Sequence, residues 1–157
     1  MTAIMLLGAL SFTACGDDDD EDVNIDEIVE KIENGTIKAK VTIAGDNPLV
    51  LTAVWPGFAT EVHTATFNSD ASLKSYIVTA TYANDKLALM AWNDLQEDEE
   101  DLRNYKRDGR VITHDSTADI LEDIHSEATP VDATDKQMIV MVFNQIKQEY
   151  ETGNYDY

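Results

Sequence analysis

The stretch Thr36-Ile37-Lys38-Ala39-Lys40-Val41-Thr42-Ile43-Ala44 decides the fold class, because its side chains change character at every step. Ile37, Ala39, Val41 and Ile43 fall on one side, and Thr36, Lys38, Lys40 and Thr42 on the other, which is the period of two that extended backbone imposes. Such alternation describes a strand over 36–44 with one wet face, and so an antiparallel sheet covered on one side only.

Upstream the period changes. Val23, Ile25, Ile28, Val29 and Ile32 recur at helical spacing, Asn24 and Glu27 form a capping box, and Asn34-Gly35 supplies a stop. Downstream, Gly45-Asp46-Asn47-Pro48 turns the chain into Leu49–Trp55, which is apolar at nearly every position and predicts a strand buried on both faces. Pro56-Gly57 is the next breaker. Thr60–Phe67 and Leu73–Tyr82, rich in threonine, valine and aromatics, read as two further strands around Asn68-Ser69-Asp70.

Ala83-Asn84-Asp85-Lys86 resembles a tight hairpin turn, which predicts a partner strand over Leu87–Trp92 even though that run lacks β-branched residues and its propensity favours helix. In Asn93–Arg107 acids lead and bases trail, matching a helix macrodipole. With Asn93 as cap, a Glu99 to Arg103 pair, Gly109 as stop and anchors at Leu95, Leu102 and Tyr105, the segment is expected to be a solvated surface helix. Arg110–His114 is a short strand, and Ser116 caps a brief helix through Ile120, Leu121 and Ile124. After Ala128-Thr129-Pro130, Thr134 and Gln137 form a second capping box, opening a helix through Met138, Ile139, Met141, Val142, Phe143, Ile146 and Tyr150 to Gly153. The order helix, strands, helices, without regular alternation or repeats, predicts an α+β domain over 23–153: a mainly antiparallel sheet of five to six strands with the C-terminal helix on one face, and a short tail at 154–157.

The N-terminal end has a different composition. An uncharged apolar run from Thr2 to Ala14 precedes the only cysteine, Cys15, then Gly16 and six consecutive acids, Asp17, Asp18, Asp19, Asp20, Glu21 and Asp22. As a helix the run would extend about 20 Å at ~1.5 Å per residue, short of the roughly 30 Å of a bilayer core. A signal peptide over 1–14 with cleavage after the small Ala14 is the expected reading.

Phe12-Thr13-Ala14-Cys15 resembles the lipobox of bacterial lipoproteins, with Phe12 where leucine is usual and with the customary basic residues expected before Met1. The resemblance implies an acylated Cys15 as first residue of the mature chain, held in an envelope leaflet by its acyl chains. The acidic block over 17–22 resembles the export signal of surface-directed lipoproteins of Gram-negative bacteria, implying an outer-membrane anchor facing the cell exterior. Like charges in sequence repel one another, so 15–22 is expected to act as a solvated tether.

The chain carries 31 acids against 11 Lys and Arg, a net charge of −20; six of the acids are in the tether, so the remainder carries −14. Such a body repels phosphate backbones, which argues against nucleic acid as a partner, and it repels anionic headgroups, which leaves membrane contact to the acyl chains on Cys15. Removal of 1–14 leaves 143 residues, enough for one domain with a sizeable core.

No motif names a reaction. Asp94–Asp101 offers oxygen ligands but lacks the glycine of a calcium loop. His63, His114 and His125 show no metalloprotease spacing, and His63 falls where a strand could turn it to solvent. His114-Asp115-Ser116 has the residue types of a hydrolase triad, but neighbours in sequence cannot generally reach one another in that geometry, and a helix start explains them better. Asp115-Ser116-Thr117 also resembles a short acceptor pattern for O-glycosylation at Ser116. Trp55, Phe58, Tyr76, Tyr82 and Trp92 cluster in the strand region and could form a platform for a protein or glycan, the competing reading being core. The expectation is a lipid-anchored, non-catalytic binding or accessory module without metal or cofactor; the alternative is a small envelope hydrolase built on a histidine and a carboxylate.

Overall fold

The computed structural model describes residues 25–98, 102–126 and 133–153. The expected signal peptide, Cys15 and its acidic tether, the Asn24 cap, Glu99 and the tail lie outside the described residues. The elements are α1 (Ile25–Glu33), β1 (Lys40–Gly45), β2 (Leu49–Trp55), β3 (Ala59–Phe67), β4 (Leu73–Tyr82), α2 (Asp85–Asp98), β5 (Tyr105–Asp108), β6 (Val111–Asp115), α3 (Thr117–Ile124) and α4 (Asp135–Thr152). All six strands form one antiparallel sheet in the order β1-β2-β3-β4-β6-β5, so the fold is α+β.

Register alternation gives the sheet two unlike faces. Val41, Leu51, Ala53, Trp55, Ala65, Tyr76, Val78, Ala80, Tyr82 and Ile112 point into the core, where Leu87, Ala88, Ala91 and Leu95 of α2, Ile120 and Ile124 of α3, and Ile139, Phe143, Ile146 and Tyr150 of α4 meet them. Each fully buried large apolar side chain contributes about 1.5–3 kcal/mol before the entropy of ordering it is charged. Leu49–Trp55 is thus buried on one face rather than two: the alternate positions Val50 and Thr52 are half-exposed and Val54 is exposed.

α4 forms as its sequence dictates. Thr134 accepts from the Gln137 backbone N–H, Gln137 reaches back to the Thr134 N–H, and Gly153 closes the helix with a left-handed φ of 71°. That end is pinned to α1: Gly153 lies against Gly35, also at φ 71°, and a Cβ on Gly153 would stand 2.7 Å from the Gly35 Cα. Ala39 N–H donates to the Tyr150 carbonyl at 3.1 Å, carrying the junction onto the start of β1. The segment 36–39 is therefore drawn away from the sheet, and β1 begins at Lys40 rather than Thr36.

Two expectations are corrected on either side of Asp85. Leu87–Trp92 is helical, part of α2, because Asn84 accepts from the Leu87 N–H at 2.9 Å as a helix cap instead of turning a hairpin. Leu87, Ala88, Ala91 and Leu95 then form one buried stripe at helical spacing. The helix expected over Asn93–Arg107 is displaced upstream accordingly; α2 ends at Asp98, Tyr105–Asp108 is edge strand β5, and Gly109 turns β5 into β6. The partner of β4 on that side is β6.

Candidate functional site

Two polar constellations lie on the inner face. On β3, Glu61 stands between Ala53 of β2 and Ala80 of β4, whose short side chains leave room for its carboxylate under α4. Glu61 is 0 % and His63 2 % exposed. His63 Nε2 meets Glu61 Oε1 at 2.6 Å, His63 Nδ1 meets the Tyr76 hydroxyl at 2.8 Å, and Tyr150 of α4 donates to Glu61 Oε1 at 2.9 Å. One assignment satisfies all three bonds: Tyr76 O–H donates to Nδ1, and Nε2–H and Tyr150 O–H both donate to the carboxylate. Burial, and then the Glu61 charge, push the Tyr76 hydroxyl far above its ordinary range, which keeps it a donor. Phe143 roofs the group, with its ring 6.1 Å from His63 and 6.0 Å from Tyr76. Glu61 Oε2 and Trp55 Nε1 have no hydrogen-bond partner among the described residues.

The second constellation is at the junction of β6 and α3. Ser116 Oγ meets His114 Nδ1 at 2.7 Å, and His114 Nε2 lies 3.7 Å from Asp119 Oδ2. Residues adjacent in sequence therefore do reach one another here, because the chain turns out of the strand at Asp115. Tyr105 of β5 stacks flat on His114, with centroids 3.8 Å apart. Burial lowers the His114 pKa below its ordinary 6.5 although Asp119 and Asp115 pull the other way, so the ring is held neutral. Having given its hydroxyl to His114, Ser116 makes no side-chain cap to α3; its N–H donates to the Tyr76 carbonyl, and Thr117 accepts from the Tyr76 N–H.

Glu61, His63, His114 and Ser116 are all buried, and of the two constellations only Asp119 reaches the surface. Ser116 is fully buried and its hydroxyl is engaged, so the folded chain has no room for a nucleophilic attack or for a sugar at that oxygen, which corrects the O-glycosylation expectation. His63, expected on a wet face, is a core residue. His125 is exposed and pairs with Asp135 at 2.8 Å, outside both constellations. Among the described residues no group of three or more His, Cys, Asp or Glu converges as a metal site, and Asp94–Asp101 falls partly within α2 and partly outside the described residues.

The aromatic platform is likewise corrected. Trp55, Phe58, Tyr76 and Tyr82 are all core residues, and Trp92 is half-buried against the same core. Trp55 lies on the Tyr150 ring at 4.7 Å and Phe58 edge-on to Tyr82 at 6.0 Å. These rings are anchors of the helix layer.

The outer face carries what remains. Cross-strand partners put Thr42, Thr52, Val62, Thr79 and Thr113 in one row across five strands. Of the fifteen outward positions from Thr42 to Thr113 between the sheet margins, eight are threonine, four valine, and the others Ala44, Ser75 and Ile77. None of these is charged or aromatic; Asp115, the partner of Ile77 at the end of β6, adds an exposed carboxylate at the limit of the same face. A protein surface of about 25–35 % charged residues would place about four charges in that area. Among the described residues every helix packs on the opposite face. Sequence reasoning did not single out this surface, although the wet side of 36–44 and the threonines of 60–66 and 75–81 were its signal.

Neither a protein-family model, nor a curated protein, nor a solved structure matches this chain.

Proposed function

We propose that this protein is a lipid-anchored envelope module, non-catalytic, which acts by docking a protein partner on the uncharged outer face of its sheet. The observation that carries the reading is the hydroxyl- and methyl-covered surface of fifteen uncharged positions on a chain of net charge −20. Burying the methyl groups of threonine and valine is favourable and the threonine hydroxyls need only neutral hydrogen-bond partners, whereas the acidic remainder would have to shed or pair its charges to enter an interface. A protein is favoured over a glycan because sugar faces stack on aromatic rings, and the rings of this sheet point inward. The expected acylation of Cys15 and the acidic run 17–22 support an anchor in the outer membrane with the body displayed outward.

Two measurements test the reading. Mass spectrometry of the mature chain should find acyl chains on an N-terminal Cys15; a free thiol on a chain beginning at Met1 rejects the anchor. Photo-crosslinking in cells from position 79 should give a discrete adduct while position 141, exposed on α4, gives none; equal labelling from both, or none from 79, rejects the docking face.

A further inference from the structure

Resting on that docking reading, we infer that the occupant of the outer face is a second copy of this chain, packed sheet on sheet about a two-fold axis that runs along the strands between β3 and β4. The charges at the margins select this arrangement. Register places Lys40, Val54, Thr60, Thr81, Val111 and Asp108 in one row, so the row begins on a cation at the β1 edge and ends on an anion at the β5 edge. A two-fold axis along the strands lays β1 of one copy over β5 of the other, and Lys40 then faces Asp108 of the second copy at both ends of the interface. In the next row Val62 faces Thr79 of the second copy, and Lys106, at the β5 margin, faces the uncharged Thr42. The other in-plane axis, at right angles to the strands, would lay β1 over β1 and β5 over β5, and Lys40 would then meet no acid of the second copy.

Charge also argues against self-contact through the acidic surface. Two bodies this acidic repel wherever charged surface meets charged surface, and the outer face is where they can approach without it. The dimensions suit a modest interface. Six strands at about 4.8 Å spacing and about seven residues at ~3.3 Å give roughly 650 Å² per copy, or about 1,300 Å² in all, at the lower end of specific complexes. Sheets of this kind pack face to face about 10 Å apart, with side chains the size of threonine and valine between them.

The test uses the full-length chain in mild detergent by sedimentation equilibrium, beside the crosslinking from position 79. The expected result is a reversible dimer and a crosslinked adduct of twice the chain mass. Lys40→Asp or Asp108→Lys alone should weaken dimerisation by about tenfold or more, and the two together should restore it, since exchanging the charges rebuilds the pair. Both residues are exposed, so loss of folding is not the expected cause of any change, and far-ultraviolet circular dichroism of each variant checks it. A monomer at all concentrations, or a dimer indifferent to both charge changes, overturns the inference. An adduct from position 79 of any other mass overturns it too while leaving the docking reading in place; no adduct at all removes both.

Discussion

On its inner face the sheet holds a glutamate, two histidines and the rings of Trp55, Tyr76 and Tyr82 beneath helices, whereas the middle of its outer face holds mainly threonine and valine, with charges only around it at Lys40, Lys106, Asp108 and Asp115. Solvent-exposed sheet faces can carry charge at little cost, and buried ones can do so only with every donor and acceptor placed. This molecule has the opposite distribution. The inner polar groups are tied to one another across β3, β4 and α4 and so fix how the helix layer sits on the sheet. The middle of the outer face is left free of the acidity that dominates the rest of the chain.

The largest expected effect breaks that contrast from the inside. Glu61→Ala removes the acceptor shared by His63 and Tyr150 and takes from the buried His63 its carboxylate partner, so it should cost about 3–5 kcal/mol in urea unfolding. Tyr150→Phe removes one donor only, and its cost should be the smaller of the two. If Glu61→Ala unfolds at the wild-type urea midpoint, the network has no role in holding α4 down.

Next comes the seam that closes α4 onto α1. Gly153→Ala puts a Cβ 2.7 Å from the Gly35 Cα at a residue held at φ 71°, so backbone strain and collision add to roughly 2–3 kcal/mol. Thermal unfolding followed by circular dichroism measures it. A midpoint unchanged by this substitution would mean the seam relaxes freely.

The comparison is sharpened by pH, since titratable groups with shifted pKa values lie on the helix side. Asp135, at the start of α4, has its carboxyl below the ordinary 3.8: burial pushes it up, but the Leu73 N–H at 2.8 Å and His125 outweigh that. A depressed carboxyl pKa contributes stability that is complete above the unfolded value and is lost as pH falls through the folded one. Asp135→Asn should therefore cost about 1–2 kcal/mol at neutral pH, and the difference from wild type should shrink toward zero below 3.8. His114, held neutral by burial, loses stability in a higher window: from 6.5 downward the unfolded ring takes a proton that the folded ring resists. A stability that does not fall as pH drops below 6.5 would contradict the His114 assignment.

The sheet was legible wherever one local pattern decided the matter. Alternation over 40–44, the threonine-rich runs before Phe67 and Tyr82, and the Thr134/Gln137 box each state a period or a cap that nothing distant overrides, whereas the same alternation over 36–39 yields to the junction with the end of α4. Leu87–Trp92 misled because Asn84 serves equally as a turn residue and as a helix cap, and the helix propensity of the run and the stripe Leu87, Ala88, Ala91, Leu95 are what distinguish the two. The polar network could not be read at all: Glu61, His63, Tyr76 and Tyr150 are separated by up to 89 residues, and their convergence depends on register and on where α4 lies. The aromatics were ambiguous for a related reason, since a ring's sequence position does not say which face its strand presents to the helices.

The smallest expected effect on stability is at the outer face, and it is the one that separates the two surfaces most cleanly. Thr79 sits at the centre of the uncharged face with its side chain half-exposed, so Thr79→Lys loses no core contact and adds one solvated charge. The unfolding free energy should change by less than about 0.5 kcal/mol, as for a surface site free of caps and special backbone geometry. Association should nevertheless fall sharply, because the added ammonium must be desolvated against an uncharged opposing face. Paired urea titration and sedimentation of this variant read both quantities. If Thr79→Lys destabilised the monomer as strongly as Glu61→Ala, the outer face would be part of the core and not a surface for a partner.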